Sequence, residues 1–384
     1  MMKNMKTYEN TLDHSVTKHL TEFFTRPEEV LFFDIETTGF SPKSASIYLI
    51  GCAFYASDGW HIRQYFTENA GEETQLLRAF TSFAATFSRF VHFNGLTFDV
   101  PFIAAKCKKH ALRPFEPADQ LDIYKCISPY KNLLHLPGCR QKQIEEFVGL
   151  HREDKFNGGQ LIELYRIYTE EKSPELLHVL MLHNYEDISG MLQAFSIMAF
   201  PKLFEEGAFI VEDISLDGVG STSAELLIRL ALSCTIPVPA ALHSAADTIS
   251  RCFLTCRDRS ALIKVPVYEG TLKYFFADYK NYAYLPAEDQ AIHKSVAVYV
   301  DKSQRMPATA ATCYTKKTGK FVPWFGPADK TSPVFYEQHK APQGFKELTE
   351  EFLSNQEEVH NYVMELLGAL KTVPKSSHKT TKAK

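Results

Sequence analysis

The 384 residues are 45% hydrophobic and 23% charged, with 42 Lys and Arg against 46 Asp and Glu and a net charge of −4. This is globular composition at a length suited to two domains, and the charge balance argues against a basic protein that coats nucleic acid non-specifically. No apolar run reaches the roughly 18 residues of a membrane span, and the polar segment from Met1 to Phe24 lacks the apolar core of a signal peptide, so a cytoplasmic protein without membrane contact is expected.

Residues 1–29 read as a polar, partly helical lead-in. Val30-Leu31-Phe32-Phe33 is a short apolar strand that runs into Asp34-Ile35-Glu36-Thr37-Thr38-Gly39. Ser46 to Phe54 and His61 to Phe66 follow as two more strands, with Asp58-Gly59 as the turn of an antiparallel meander. Leu76, Leu77, Phe80 and Phe83 recur at helical spacing over 72–87. Phe90 to Phe93 is a short strand that stops at Asn94-Gly95, and Pro101 to His110 is a helix with proline acceptable at its first position. A strand candidate at Leu121-Asp122, a helix around Gln143 to Val148 and one or two helices over 174–200 complete an α/β pattern across 30–200. Pro201 to Gly207 marks a boundary. Beyond it, 208–370 is expected to form a smaller α+β region. It begins with a helix from Thr222 to Leu232, capped by Thr222 and Glu225, continues strand-like from Phe253 to Trp324, and returns to helix over 346–370. The Lys-rich tail, 371–384, contains no acids and is expected to be disordered.

Three segments carry chemistry. Asp34 and Glu36 stand two apart on a strand, so their carboxylates share a face. Like charges at that separation suppress each other's ionisation unless a cation lies between them, and a hard divalent ion, Mg²⁺ or Mn²⁺, is the natural occupant. His92-Phe93-Asn94-Gly95-Leu96-Thr97-Phe98-Asp99 places an acid between a strand and a helix. His183 and Asp187 stand four apart, on one face of a helix. Each segment alone has a structural alternative: a turn acid, a helix cap at Asp99, or a surface His–Asp pair.

Together, acids in the order Asp34, Glu36, Asp99, Asp187 resemble the DEDD exonucleases of the RNase H-like superfamily. Phe33-Asp34-Ile35-Glu36-Thr37-Thr38-Gly39 is close to that family's first motif, Asn94-x-x-x-Phe98-Asp99 matches the second, and Asp187 falls at the acid of the third. Ile144-Glu145-x-Phe147-x-Gly149-Leu150 and His183-Asn184-x-x-Asp187-Ile188 bring the chain nearer the YprB-type ribonuclease H-like proteins of Gram-positive bacteria. The resemblance implies an RNase H-like fold with a mixed central sheet flanked by helices. It implies a two-metal 3′–5′ exonuclease acting on DNA or RNA, with Asp34, Glu36, Asp99 and Asp187 as ligands of two Mg²⁺ or Mn²⁺ ions. In that scheme Asp34 bridges the ions, Glu36 and Asp187 complete the first, and Asp99 holds the second. Thr37, Thr38, Gly39, Asn94 and Phe98 face the 3′ end of the substrate.

His183 departs from the pattern: it has the spacing of the family's tyrosine subgroup but the residue of its histidine subgroup. It is the candidate general base, the alternative being a supporting histidine beside ions that activate the water. Asp122 reads either as a fifth acid or as a structural cap. Two other functions stay open: a catalytically weak adaptor that binds nucleic acid, and a structure-specific endonuclease on the same fold.

The remaining signals are weaker. Gly218-Val219-Gly220-Ser221-Thr222 has the look of a phosphate loop but lacks its lysine, and a tight turn explains it better. The stretch from Lys273 to Tyr284 interleaves aromatics with lysines, and Lys316, Lys317 and Lys320 follow. That pattern fits either base stacking with phosphate contacts or a sheet of aromatic cross-strand pairs with a solvated lysine edge. The eight cysteines include no CxxC pair and read as reduced thiols.

Overall fold

The structure, a computed structural model, describes residues 5–153, 156–218, 224–242, 252–326 and 333–371. The chain divides into two compact units, one of residues 1–203 with 233–238, the other of 204–232 with 239–384.

The first unit is built on a six-stranded mixed sheet. The polar lead-in supplies a strand of its own, β1 (Lys6–Thr11), at one edge. It is followed by β2 (Val30–Thr37), β3 (Ile47–Ala56), β4 (Gly59–Phe66), β5 (Arg89–His92) and β6 (Asp119–Asp122), in the spatial order β1-β4-β3-β2-β5-β6. β1 through β4 pair antiparallel, whereas β5 and β6 run parallel to β2. The two parallel connections pass through helices, as parallel pairing requires.

Alternation along β2 sorts its side chains between two layers. Leu31, Phe33 and Ile35 enter a core shared with Leu76, Leu77 and Phe80 of the helix Glu73–Ala84 and with Phe102 and Ile103 of the helix Asp99–Lys109. Phe32 turns to the opposite face, where it meets Phe24, Trp60 and Phe195 edge to face at 5.5–5.9 Å. Asp34 and Glu36 share that second face. The helices Gly158–Glu171 and Pro174–Ala194 cover it further along the sheet, where Tyr48, Phe66, Tyr165, Tyr168 and Leu180 pack together. The long helix starts with Ser173 as its cap and Pro174 in its first turn, a start the sequence encodes directly.

The parallel ladder between β2 and β5 ends at Phe32, paired with Val91. β2 therefore runs on past its parallel neighbour, and Asp34 to Thr37 border the open end of the sheet. Asn94, in the left-handed region at φ 61°, turns the chain there. Crevices at the carboxyl ends of parallel strands are where open α/β sheets place their sites.

Three small sheets follow, and all their residues fall in the second unit except 233–238, which fall in the first. One contains β7 (Phe209–Asp217), β8 (Glu225–Leu242) and β9 (Phe253–Pro266). The second joins β11 (Tyr282–Leu285), β12 (Gln290–His293) and β13 (Met306–Pro307), and the third joins β10 (Tyr268–Phe275), β14 (Tyr314–Trp324) and β15 (Gly344–Glu347). Val359, Tyr362, Val363, Leu366 and Leu370 form the buried stripe of the helix Gln356–Lys371. The helix expected over 222–232 is not formed: residues from Glu225 on make strand β8 instead. Leu226, Ile228, Leu230 and Leu232 alternate into the core there, a period of two that an almost unbroken apolar run conceals. The expected cap Thr222, most of the 218–222 loop and the tail beyond 371 lie outside the described residues.

The aromatic and lysine stretch resolves in favour of sheet packing. Tyr268, Leu272 and Tyr274 of β10 join Phe321, Phe335 and Phe345 in a core. Asp289 accepts from the hydroxyls of Tyr284, at 2.6 Å, and Tyr314, while Lys316 lies 3.3 Å from it and Lys317 pairs with Glu347 at 2.6 Å. None of the described helices is long and apolar enough to cross a membrane.

Candidate active site

The four acids of the three sequence segments converge in the first unit. Asp34 and Glu36 project from β2. The helix Pro174–Ala194 lies across them and presents His183, Asn184 and Asp187. His183 Nε2 stands 3.1 Å from Asp187 Oδ2 and 3.5 Å from Glu36 Oε1, so one imidazole nitrogen bridges two acids from different elements. Ligand atoms of Glu36, His183 and Asp187 all lie within 4.8 Å of one another. Asp99, in the first turn of its helix, reaches β2 from the other side, where its Oδ1 accepts the Ile35 N–H at 3.2 Å. That N–H lies beyond the point where β5 stops pairing with β2, so the acid takes the place of a strand partner.

Asp34 is positioned through two residues that the sequence did not single out for a role. Its cross-strand partner on β3 is Gly51, and Asn184 enters above that glycine. Asn184 is fully buried; its Nδ2 donates to Asp34 Oδ2 at 3.3 Å, and its Oδ1 accepts from Gln64 Nε2 at 3.0 Å. The Gln64 contact fixes which way the amide points.

A second group was also missed. Arg152 donates to Asp187 Oδ1 through Nη1 and to both oxygens of buried Glu145 through Nε and Nη2. Glu145 and Asn184 lie inside the segments that carry the YprB-type resemblance. Arg152 belongs to no motif, and nothing in the sequence connects it with an acid 35 positions away.

Asp122 resolves as a structural acid. It caps the helix Ile123–Ile127 by accepting from Lys125 N at 3.4 Å, and it accepts the backbone N–H of Asn94 at 2.9 Å and of Leu96 at 3.4 Å. It thereby anchors the turn that leads to Asp99. Asp122→Ala strips a carboxylate from several part-buried N–H donors and is expected to cost about 2–4 kcal/mol of stability, measured by urea unfolding. Metal affinity should change less than for any of the four converging acids.

The other expected residues fall around this centre. Thr37 donates its hydroxyl to Gly39 O at 2.8 Å, and Thr38 Oγ1 accepts from Ser46 N at 2.8 Å. A bulge between Glu36 and Thr37 accompanies this turn. Phe98 packs on Phe102 with ring centroids 5.3 Å apart, so its ring belongs partly to the core.

The electrostatics are asymmetric. Burial, reinforced by the charges of Asp99, Asp187 and Glu36, pushes the Asp34 carboxyl well above the usual range, with Arg152 offsetting part of the effect. Burial also pushes Asp99 up, to about 7; the N–H groups of Ile35 and of Asp99 itself oppose the rise, and Asp122 and Asp187 add to it. Burial pushes on Asp187 in the same direction, but the hydrogen bond from His183 and the charges of His183 and Arg152 outweigh it and hold this acid below its ordinary value. A cluster of hard oxygen donors, two of them held toward the protonated form by burial and neighbouring carboxylates, fits a divalent cation of the Mg²⁺ or Mn²⁺ type.

Residues 31–197 match the family model described as RNase_H superfamily, and the mixed sheet with its flanking helices is an RNase H-like fold. Among solved structures, the family B DNA polymerase of Pyrobaculum calidifontis is similar at 15% identity and a TM-score of 0.35, over 66% of this chain and 35% of that one. Exonuclease I of E. coli in complex with a 5cy-dA13 oligonucleotide is similar at 13% identity and a TM-score of 0.27, over 53% of this chain and 54% of that one. The zinc-bound ExoI–ssDNA complex of E. coli is similar at 13% identity and a TM-score of 0.27, over 89% and 70% of the two chains. The chain spans about a third to just over half of the first structures it matches. No curated protein matches it.

Proposed function

We propose that the RNase H-like region is a metal-dependent nuclease that removes nucleotides from the 3′ end of single-stranded or frayed nucleic acid. The observation that carries this reading is the convergence of Asp34 and Glu36 on one face of β2 with Asp187 and His183 above them and Asp99 at the open strand edge. A pure binding module gains nothing from burying that many carboxylates.

Asp34, Glu36, Asp99 and Asp187 would hold two divalent ions of the Mg²⁺ or Mn²⁺ type. When bound, such ions would supply an activated water and charge stabilisation for the leaving oxygen. His183, whose Nε2 stands between Glu36 and Asp187, would orient the attacking water, and would act as its base in the tautomer whose Nε2 carries no proton. Asn184 fixes Asp34, and Asp122 fixes the turn before Asp99. The turn from Thr37 to Gly39 offers backbone to the terminal nucleotide, and Phe40, 77% exposed beside it, offers an aromatic face for a base.

Two other readings give different products. A 5′-labelled linear strand, the same strand with a blocked 3′ terminus, and a circle of the same sequence separate all three. The exonuclease shortens only the free linear strand. An endonuclease also opens the circle, and an adaptor retains all three uncut.

The pKa shifts fix the sign of a pH effect. Asp99 titrates near 7 in the folded protein against an ordinary 3.8, so folding favours its protonated form. The stability this adds is present below about pH 4 and is lost as pH rises toward 7. Asp187 is shifted the opposite way, and its contribution is present above the ordinary carboxylate range and lost as pH falls below it. A divalent ion binds the ionised carboxylates, so its stabilisation should grow through the window from pH 4 to 7. Thermal melts with and without Mn²⁺ should therefore show a larger shift at pH 8 than at pH 5. An equal shift at both would contradict the assignment of Asp99.

A further inference from the structure

Arg152 is committed on two sides, and the surrounding residues are shaped to keep it there. Its Nε and Nη2 engage Glu145, the latter at 2.5 Å, and its Nη1 engages Asp187 Oδ1. Glu145 is only 1% exposed, and its space exists because Gly190 has no side chain: a Cβ at Gly190 would lie 2.2 Å from Glu145 Oε1. Gln141 Nε2 donates to Glu145 Oε1 at 2.9 Å and to the Asp187 carbonyl at 2.7 Å, tying the two acids' elements together. Next to Arg152, the Glu153 N–H is held by Glu186 Oε1 at 3.0 Å.

Such a buried pair is poorly explained by stability, since apolar residues of similar volume usually serve as well. Its distinctive effect is a permanent positive charge on one oxygen of Asp187, while the other oxygen faces His183. Asp34 and Asp99 instead meet neutral donors, the Asn184 amide and the Ile35 N–H.

We propose that Arg152 is a resident counter-cation of the catalytic cluster, which competes with divalent ions for Asp187 and leaves the Asp34 and Asp99 side to bind an ion first. This rests on the metal-nuclease reading. A guanidinium at hydrogen-bond distance from Asp187 repels a divalent ion that shares this acid and takes up one of its oxygens. The clamp through Glu145 prevents the guanidinium from drifting into solvent. Arg152 is thus a positioning residue that sets metal occupancy.

The test is Mn²⁺ binding to the full chain without nucleic acid, followed by the electron paramagnetic resonance signal of free Mn²⁺. The variant pairs Arg152→Gln with Glu145→Gln, so that no bare charge is left buried. It should bind Mn²⁺ at least tenfold more tightly than wild type, or bind one more ion. Arg152→Lys keeps the charge but loses the fork and should fall between the two. If the amide pair does not fold, Glu145→Leu with Arg152→Met makes the same comparison with an apolar filling. Wild-type binding with no tightening in the folded pair overturns the role of Arg152 alone. Absence of Mn²⁺ binding in both proteins removes the metal-nuclease reading as well.

Discussion

Asp34→Asn is expected to lower hydrolysis at least a thousandfold while making the metal-free protein more stable. The two effects have one cause. Asp34 is the most crowded acid of the cluster: burial and three neighbouring carboxylates all oppose its ionisation. Removing its charge relieves that repulsion, and the substituted side chain keeps an oxygen to accept from Asn184. If Asp34 holds the ions as proposed, its loss removes several kcal/mol of transition-state stabilisation, and about 4 kcal/mol corresponds to three powers of ten in rate. Initial rates on a labelled oligonucleotide, with melting curves in a chelator, measure both. Activity within tenfold of wild type would show that Asp34 does not serve the chemistry, and a lowered melting temperature would contradict the electrostatics.

Gly51→Ala is expected to damage the site without touching any acid. A Cβ there would lie 2.2 Å from Asn184 Oδ1 and 2.9 Å from Ile188 Cγ1. The first contact breaks the Gln64–Asn184–Asp34 relay, and the second pushes on the helix that carries His183 and Asp187. Overpacking of this kind costs about 1–3 kcal/mol, and a displacement near 1 Å at a catalytic group costs about a hundredfold in rate. Gly158→Ala is the control, because nothing lies within 4 Å of the added methyl. Urea midpoints and rates of the two variants should separate clearly; equal behaviour would mean the helix tolerates a shift at Gly51.

The sequence is legible where local pattern and tertiary role coincide. Asp34 and Glu36 stand two apart on a strand whose apolar residues fill both sheet faces, so the strand and the shared face of the acids are legible. His183 and Asp187 were legible as a pair because a helix places residues four apart together. What stayed hidden depends on long-range geometry. β1 is the polar segment KTYENT, exposed at all but one position, and it is a strand because β4 offers an edge. Glu225 to Leu232 offers an apolar run that fits a helix as well as a strand, and pairing with β7 and β9 along its two edges decides for the strand. Arg152 joins Asp187 across 35 residues, and Gly51 matters only because Asn184 lies above it. Neither relation leaves a local signature.

One gel tests the central claim most directly. Wild type and Asp34→Asn are incubated with 5′-labelled single-stranded DNA and with its RNA counterpart, in Mg²⁺, in Mn²⁺ and in a chelator. The account predicts a ladder shortening from the 3′ end on at least one strand, present only with wild type and a divalent ion. Intact strands in every wild-type lane, or cleavage that persists in the chelator or in Asp34→Asn, would contradict it.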